Sequence, residues 1–102
     1  MAGNALYGIT ALRYAGTNIV EAMMGLMDPS SGGRDLHPRP ARLTEIVDKL
    51  LEGDTVISMF SGEDGRYQRG PVVLVDVLPE GNETLAFDEQ ASGRTIRDLP
   101  RF

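Results

Sequence analysis

The stretch from 40 to 60, PARLTEIVDKLLEGDTVISMF, constrains the fold most, because it predicts a helix, a stop signal and a strand in succession. Gly53 is expected to end a helix over 42–52, since glycine adopts the left-handed conformation after a helix without a Cβ clash. The β-branched and aromatic residues at 55–60 then predict a strand. Apolar side chains recur at spacings of three and four, which places them on one stripe of the helix: Leu43, Ile46, Val47, Leu50 and Leu51.

The strand at 55–60 is apolar on both faces, with Val56 and Phe60 on one and Ile57 and Met59 on the other. A strand that is buried on both faces is typical of the centre of a sheet. The helix also needs an apolar surface to cover. We therefore predict an α+β fold, in which one α-helix packs on one face of a mainly antiparallel sheet of about five strands.

Three further strands are predicted, at 6–14, 72–78 and 83–87. Alternation in the first of them would place Tyr7, Ile9, Ala11 and Arg13 on a single face. Asp64-Gly65 predicts the tip of a hairpin. The apolar residues of the C-terminal tail are expected to dock on the body of the protein: Ile96, Leu99 and Phe102.

The segment 19–27, IVEAMMGLM, is ambiguous. Its Glu, Ala, Met and Leu residues favour a helix, whereas its imperfect alternation and the need for a hairpin partner favour a strand. Gly25 weakens either interpretation. We predict a strand and keep the helix as the alternative.

The segment 28–40 is rich in Pro, Gly and Ser and predicts a flexible surface loop. No linker divides the chain, so 1–102 is predicted to form a single domain. The predicted core consists of Ile9, Leu12, Val20, Met24, Leu43, Ile46, Val47, Leu50, Val56, Ile57, Phe60, Val73, Val75, Val77, Leu85 and Phe87.

Composition limits the possible functions. The net charge of −5 argues against extensive phosphate binding. The sequence has no cysteine, which fits a reducing compartment, and no signal peptide is recognisable. No apolar run is long enough to span a membrane. We expect a cytoplasmic protein without membrane contact.

Candidate catalytic and ligand-binding motifs are weak. His37 is the sole histidine, and a zinc site needs several ligands. Ser58 and Ser61 do not lie in a Gly-x-Ser-x-Gly motif. The Gly-rich segment 30–34 is not followed by the Lys-Ser/Thr of a phosphate-binding loop. We therefore predict that the chain is not an enzyme and has no metal and no cofactor.

The best candidates for contact with a partner are arginines near aromatic residues. Arg66, Tyr67 and Arg69 surround the predicted hairpin tip, a composition that suits a protein-binding hot spot. Arg94, Arg97 and Arg101 lie in the tail and are candidates for binding an acidic surface. The alternatives are an exposed hairpin and a tail that is solvated or forms intramolecular salt bridges. The methionines of the second strand suit core packing or a homodimer interface: Met23, Met24 and Met27.

The order of motifs resembles a bacterial family known as domain of unknown function 3892. The matching pieces are ITALR near the start, EIVDKLLEGD in the helix, the Asp-Gly hairpin, VVLVDVL, and DLPRF at the end. The family often has an aromatic residue before the helix, where this chain has DLHPRP, and Asn-Leu where this chain has Thr95-Ile96. The resemblance implies a small α+β fold, no known activity, and a strand at 19–27 paired with the first strand.

These observations favour a non-enzymatic protein-interaction module with an unknown protein partner, for example a small anionic inhibitor of phage or plasmid origin. One alternative is a small-ligand binder or enzyme with a helix–sheet pocket lined by Arg13 and Tyr14. The other is nucleic-acid binding through the tail and three further arginines: Arg34, Arg39 and Arg42.

Overall fold

The computed structural model describes residues 4–28, 36–88 and 95–102. These residues form a six-stranded sheet in the order β3-β2-β1-β4-β5-β6. All neighbouring strands are antiparallel except β1 and β4, which are parallel. The predicted α+β fold is therefore confirmed, with a sheet that is mixed but mainly antiparallel. The elements are β1 (Leu6–Ala15), β2 (Asn18–Met27), β3 (Arg39–Arg42), α1 (Leu43–Leu51), β4 (Thr55–Ser61), β5 (Tyr67–Val77), β6 (Glu83–Phe87) and a 3-10 helix (Ile96–Asp98).

The segment 19–27 belongs to strand β2, which forms a hairpin with β1. The sixth strand, β3, was not predicted, because it occupies the end of the predicted flexible loop 28–40. It is a short edge strand, where Pro40 is tolerated because an edge strand needs fewer backbone donors. Residues 29–35 of the predicted loop lie outside the described residues.

Helix α1 is slightly shorter than the predicted 42–52, and it packs through the buried Ile46 and Val47. Gly53 has φ of 99°, which confirms the predicted stop signal. Leu51 is 72% exposed and does not belong to the buried stripe. It is the last residue of the helix and lies at the edge of that stripe.

A bulge in β1 changes the faces predicted for this strand. Ile9 pairs with Met24, but the next pair joins Ala11 to Met23, so Thr10 is an extra residue. An extra residue shifts the alternation by one position. The helix-side core therefore receives both Ile9 and Leu12, and the predicted grouping of Ile9 with Ala11 and Arg13 is wrong.

A second bulge changes the face of Val20 in β2. Arg13 pairs with Glu21 and Tyr14 pairs with Ile19, which leaves Val20 as the extra residue. Ile19 is buried, whereas Val20 is 37% exposed. The prediction of Val20 as a core residue is therefore wrong, and Ile19 takes its place.

The sheet is covered on both sides. On the side of α1, the buried cluster includes Ile46, Val56 and Val73, and most predicted core residues are buried or half-buried there. Val77, at the end of β5, is 60% exposed and was wrongly predicted as core. The opposite side, called here the far side, has a smaller cluster of Met27, Leu36, Ile57 and Met59. Strand β4 is thus buried on both faces, as predicted.

The C-terminal tail continues the sheet beside β1. Leu12 N–H donates to the Pro100 carbonyl (2.8 Å), and Phe102 N–H donates to the Leu12 carbonyl (3.1 Å). Leu99 is 2% exposed in the helix-side core. Strand β4 pairs with the first half of β1 and the tail with the second half, so the predicted docking of the tail is confirmed.

Candidate protein-interaction surface

The β4–β5 hairpin positions the first group of predicted contact residues. Gly62 N–H donates to the Arg66 carbonyl (2.7 Å), which closes the loop. Arg66 N–H donates to Oδ1 of Asp64 (3.0 Å), and Gly65 has φ of 79°, the conformation that the Asp-Gly pair predicts. The side chain of Arg66 is exposed at this turn.

A bulge in β5 determines which side of the sheet the hairpin residues face. Ile57 pairs with Val72 and Met59 pairs with Arg69, so β5 has one more residue than β4 in this interval. The Oγ of the fully buried Ser58 donates to the Pro71 carbonyl (2.8 Å) inside the bulge. This hydroxyl satisfies the Pro71 carbonyl, a backbone acceptor that the irregular pairing of β4 with β5 leaves without a backbone donor. Its role is structural.

The bulge places five residues of β5 on the far side of the sheet. Cross-strand partners share a face, so Tyr67 and Arg69 lie on the same side as Val72. Leu74 and Asp76 follow by simple alternation. We call these five residues the β5 patch: Tyr67, Arg69, Val72, Leu74 and Asp76.

The β5 patch has an apolar centre between two charged residues. Val72 is 38% exposed and Leu74 is 43% exposed. Arg69 and Asp76 are exposed on either side of them, and Tyr67 is half-buried against the far-side cluster. Oδ1 of Asp76 accepts from the N–H of Val77 (2.9 Å).

Part of the far side is covered by Leu36, which precedes β3. Leu36 packs over the directly paired Gly8 and Gly25 of β1 and β2. Leu36 itself is buried in the far-side cluster with Ile57 and Met59. This cover lies on β2, β1 and β4 and does not extend over β5, where the side chains of Val72 and Leu74 remain exposed to solvent.

The arginines of the tail are engaged in contacts within the chain. The guanidinium carbon of Arg101 lies 4.3 Å from the ring centroid of Tyr14, and that of Arg97 lies 5.7 Å from it. Such cation–π contacts hold both guanidinium groups near the ring, although the two residues remain charged and exposed. The contacts are intramolecular, but they are made to an aromatic ring and are not the salt bridges of the predicted alternative. Arg94 lies outside the described residues.

The hairpin and the tail do not form one site. Tyr14 belongs to the helix side of the sheet, whereas Tyr67 packs on the far side. Arg13 is also engaged, since its guanidinium lies 4.7 Å from the Phe102 ring and 3.3 Å from Oε1 of Glu21. The predicted contact residues are thus divided between two faces of the sheet.

Two open cavities lie beside the turn between β5 and β6. One of about 310 Å³ lies against Leu43 and Val47 of α1. A second of about 210 Å³ is lined by Tyr14, whose buried hydroxyl has no hydrogen-bond partner among the described residues. A pocket at Tyr14 was predicted, but Arg13 lines neither cavity.

The arginines considered for nucleic-acid binding are dispersed. Arg39 pairs with Met24 and Arg42 pairs with Glu21, which places them on opposite faces of β3. Arg34 lies outside the described residues. No cluster of three or more potential metal ligands occurs in the described ranges, and His37 is exposed.

Sequence reasoning identified Tyr67 and Arg69 but missed the three residues that complete the β5 patch. The missed residues are Val72, Leu74 and Asp76, in the predicted strand 72–78. The sequence did not show which face of that strand lies on the same side of the sheet as Tyr67 and Arg69. The signal was available in Gly70-Pro71, because a glycine and a proline inside a strand are typical of a bulge. A bulge at Gly70-Pro71 predicts the observed shift in the alternation of side chains between the two faces of β5.

Comparison of the chain with protein-family models, curated proteins and solved structures finds no match. The resemblance to the family of unknown function stays a prediction. Among the described residues, no helix has both the length and the apolarity that crossing a bilayer requires.

Proposed function

We propose that the chain is a non-enzymatic, cytoplasmic protein-interaction module that contacts its partner through the β5 patch. The observation that carries this proposal is the bulge at Gly70-Pro71, which aligns Tyr67 and Arg69 with the exposed Val72 and Leu74. Tyrosine and arginine are enriched at binding hot spots. An apolar centre with charged residues at its ends matches the anatomy of a protein interface.

The competing locations have less support. The tail arginines are stacked on Tyr14. Among the other exposed aliphatic residues, Leu26 and Leu51 lie on other elements, and Val77 lies on the opposite face of β5. Arg66 sits at the turn next to Tyr67, where it extends the basic end of the β5 patch. The hairpin is therefore the part of the predicted set that we retain.

Affinity capture with tagged variants tests this proposal. Leu74→Ser removes an apolar side chain from the patch, whereas Val77→Ser removes one from the other side of the same strand. We expect Leu74→Ser to reduce recovery of the bound protein about tenfold, as one hot-spot side chain can. Val77→Ser should leave recovery unchanged. Equal recovery with both variants, and with Arg69→Ala, would reject the β5 patch as the binding surface.

The buried hydroxyl of Tyr14, which finds no hydrogen-bond partner in the described part of the chain, favours a second candidate function, the binding of a small molecule. A buried hydroxyl without a partner costs free energy that a ligand group would recover. The cavity of about 210 Å³ beside it has room for a small fragment. Ligand-observed NMR with small hydroxylated aromatic fragments tests this, with Tyr14→Phe expected to abolish any binding that depends on the hydroxyl.

A further inference from the structure

We propose that the β5 patch binds the same patch of a second copy of the chain, in a face-to-face dimer with antiparallel β5 strands. This inference rests on the proposed function and names the partner. It is carried by the order of four residues of the patch, Arg69, Val72, Leu74 and Asp76, which is complementary to its own reverse.

The order of these side chains becomes symmetric when the two residues of the bulge, Gly70 and Pro71, are counted as one position along β5. Arg69 then lies two positions before Val72, and Asp76 lies two positions after Leu74. The midpoint of these four residues is Val73, whose own side chain points into the helix-side core. A two-fold axis that runs between the two facing sheets at this level, perpendicular to β5, reverses the sequence of side chains. It pairs Val72 with Leu74 of the second copy.

The same axis pairs opposite charges at both ends. Arg69 of each copy meets Asp76 of the other, because both are two positions from the apolar centre. A two-fold interface repeats every such contact, so one residue pair produces two intermolecular ion pairs. Neither Arg69 nor Asp76 has an ion-pair partner among the described residues.

The charge of the whole chain makes this local complementarity necessary. Each copy has a net charge of −5, so two copies repel each other at long range. An apolar centre alone would also accept many partners. The Arg69–Asp76 pairs offset the repulsion at the contact and determine the antiparallel orientation, since a parallel arrangement would place like charges together.

The spacing of packed sheets allows the contact. Two sheets that pack face to face lie about 10 Å apart, with side chains from both inner faces filling the space. Val72 and Leu74 from both copies would fill the centre. Arg69 and Asp76 have enough length to meet at the margin, where water reaches them.

A charge-swap series tests the dimer by sedimentation equilibrium from micromolar to millimolar concentration. Arg69→Asp and Asp76→Arg each replace two attractive contacts by two repulsive ones, and each should weaken association about tenfold or more. The double variant Arg69→Asp/Asp76→Arg restores opposite charges in the reversed order and should recover the wild-type dissociation constant. Arg39→Asp makes the same charge change at an exposed residue of the edge strand β3, at the other end of the sheet from β5, and is the matched control.

Each outcome decides the proposal. Weaker association of both single variants with recovery in the double variant supports the dimer. A wild-type protein that remains monomeric over the whole range overturns it, and so does a double variant as weak as the single ones. A monomeric protein that still captures another protein through Leu74 leaves the proposed function intact. Capture of no protein, including a differently tagged copy, rejects both.

Discussion

Two paired glycines, Gly8 and Gly25, leave room for side chains that pack on the far side of the sheet. A Cβ added at Gly8 would lie 2.8 Å from Sδ of Met27 and 2.9 Å from Cγ of Met59. At Gly25 it would lie 2.8 Å from Cδ1 of Leu36 and 2.9 Å from the His37 carbonyl oxygen. The missing side chains therefore form the slot in which Leu36 is buried.

Gly8→Ala should destabilise the protein by about 1–3 kcal/mol, because the added methyl group overpacks a filled site. Urea unfolding measures the change. Met27→Ala removes one of the two colliding side chains, so the double variant should cost less than the sum of the single changes. A Gly8→Ala cost within about 0.5 kcal/mol, the range of neutral surface changes, would show that the slot is not filled.

The buried hydroxyl of Ser58 provides a second residue-scale prediction. Ser58→Ala leaves the Pro71 carbonyl without its donor at a buried position, which should cost about 1–3 kcal/mol. Ser61→Ala, on the exposed end of the same strand, is the matched control and should stay within about 0.5 kcal/mol. Equal free energies of unfolding for the two variants would contradict the role assigned to Ser58.

At the scale of elements, bulges decide which side chains enter the core. In β2, the extra residue is Val20, so the buried position belongs to Ile19. Ile19→Ala should therefore cost about 2–5 kcal/mol, the range for a buried isoleucine. Val20→Ala should cost much less, because its side chain is 37% exposed. Chemical denaturation of the two variants measures both values, and the reverse order would place the bulge elsewhere.

The elements that the sequence predicted well are those with an uninterrupted period. Helix α1 and β4 were predicted because their apolar residues repeat without a shift, and a glycine separates them. The faces of β1 and β5 could not be assigned in full, because a bulge changes the phase without changing composition. Strand β3 has four residues, Arg-Pro-Ala-Arg, and becomes a strand through its pairing with β2.

The difficulty of assigning strand faces from sequence also limited the prediction of the candidate site. Tyr67 and Arg69 were identified by composition, which requires no knowledge of register. Their alignment with Val72 and Leu74 depends on the pairing with β4, a contact between separate segments of the chain. The engagement of Arg97 and Arg101 by Tyr14 likewise joins residues that are far apart in sequence. For β5, the Gly70-Pro71 pair was a local sign of the bulge, whereas the contacts of the tail with Tyr14 are set by tertiary structure and have no local pattern.

At the scale of the whole molecule, β1 is the strand that joins the two ends of the described chain. Its first half pairs with β4 in parallel, and the Ala5 N–H donates to Oδ1 of Asp54 (3.0 Å) at that end. Its second half receives the tail through the two backbone hydrogen bonds of Leu12. Because β4 does not pair with this half, the tail satisfies backbone groups that would otherwise lie at an open edge.

The tail should therefore contribute to global stability through Leu99, whose side chain is 2% exposed in the helix-side core. Leu99→Ala should lower the free energy of unfolding by about 2–5 kcal/mol, because it leaves a cavity at the point where the tail is anchored. Leu51→Ala makes the same chemical change at a side chain that is 72% exposed, and it should have an effect within about 0.5 kcal/mol.

Hydrogen exchange distinguishes local detachment of the tail from a loss of stability of the whole protein. If the tail is part of the cooperative unit, Leu99→Ala accelerates exchange of the Leu12 amide and of the central strands together. Faster exchange confined to Leu12 and Phe102, with an unchanged unfolding midpoint, would make the tail a separable appendage of the sheet.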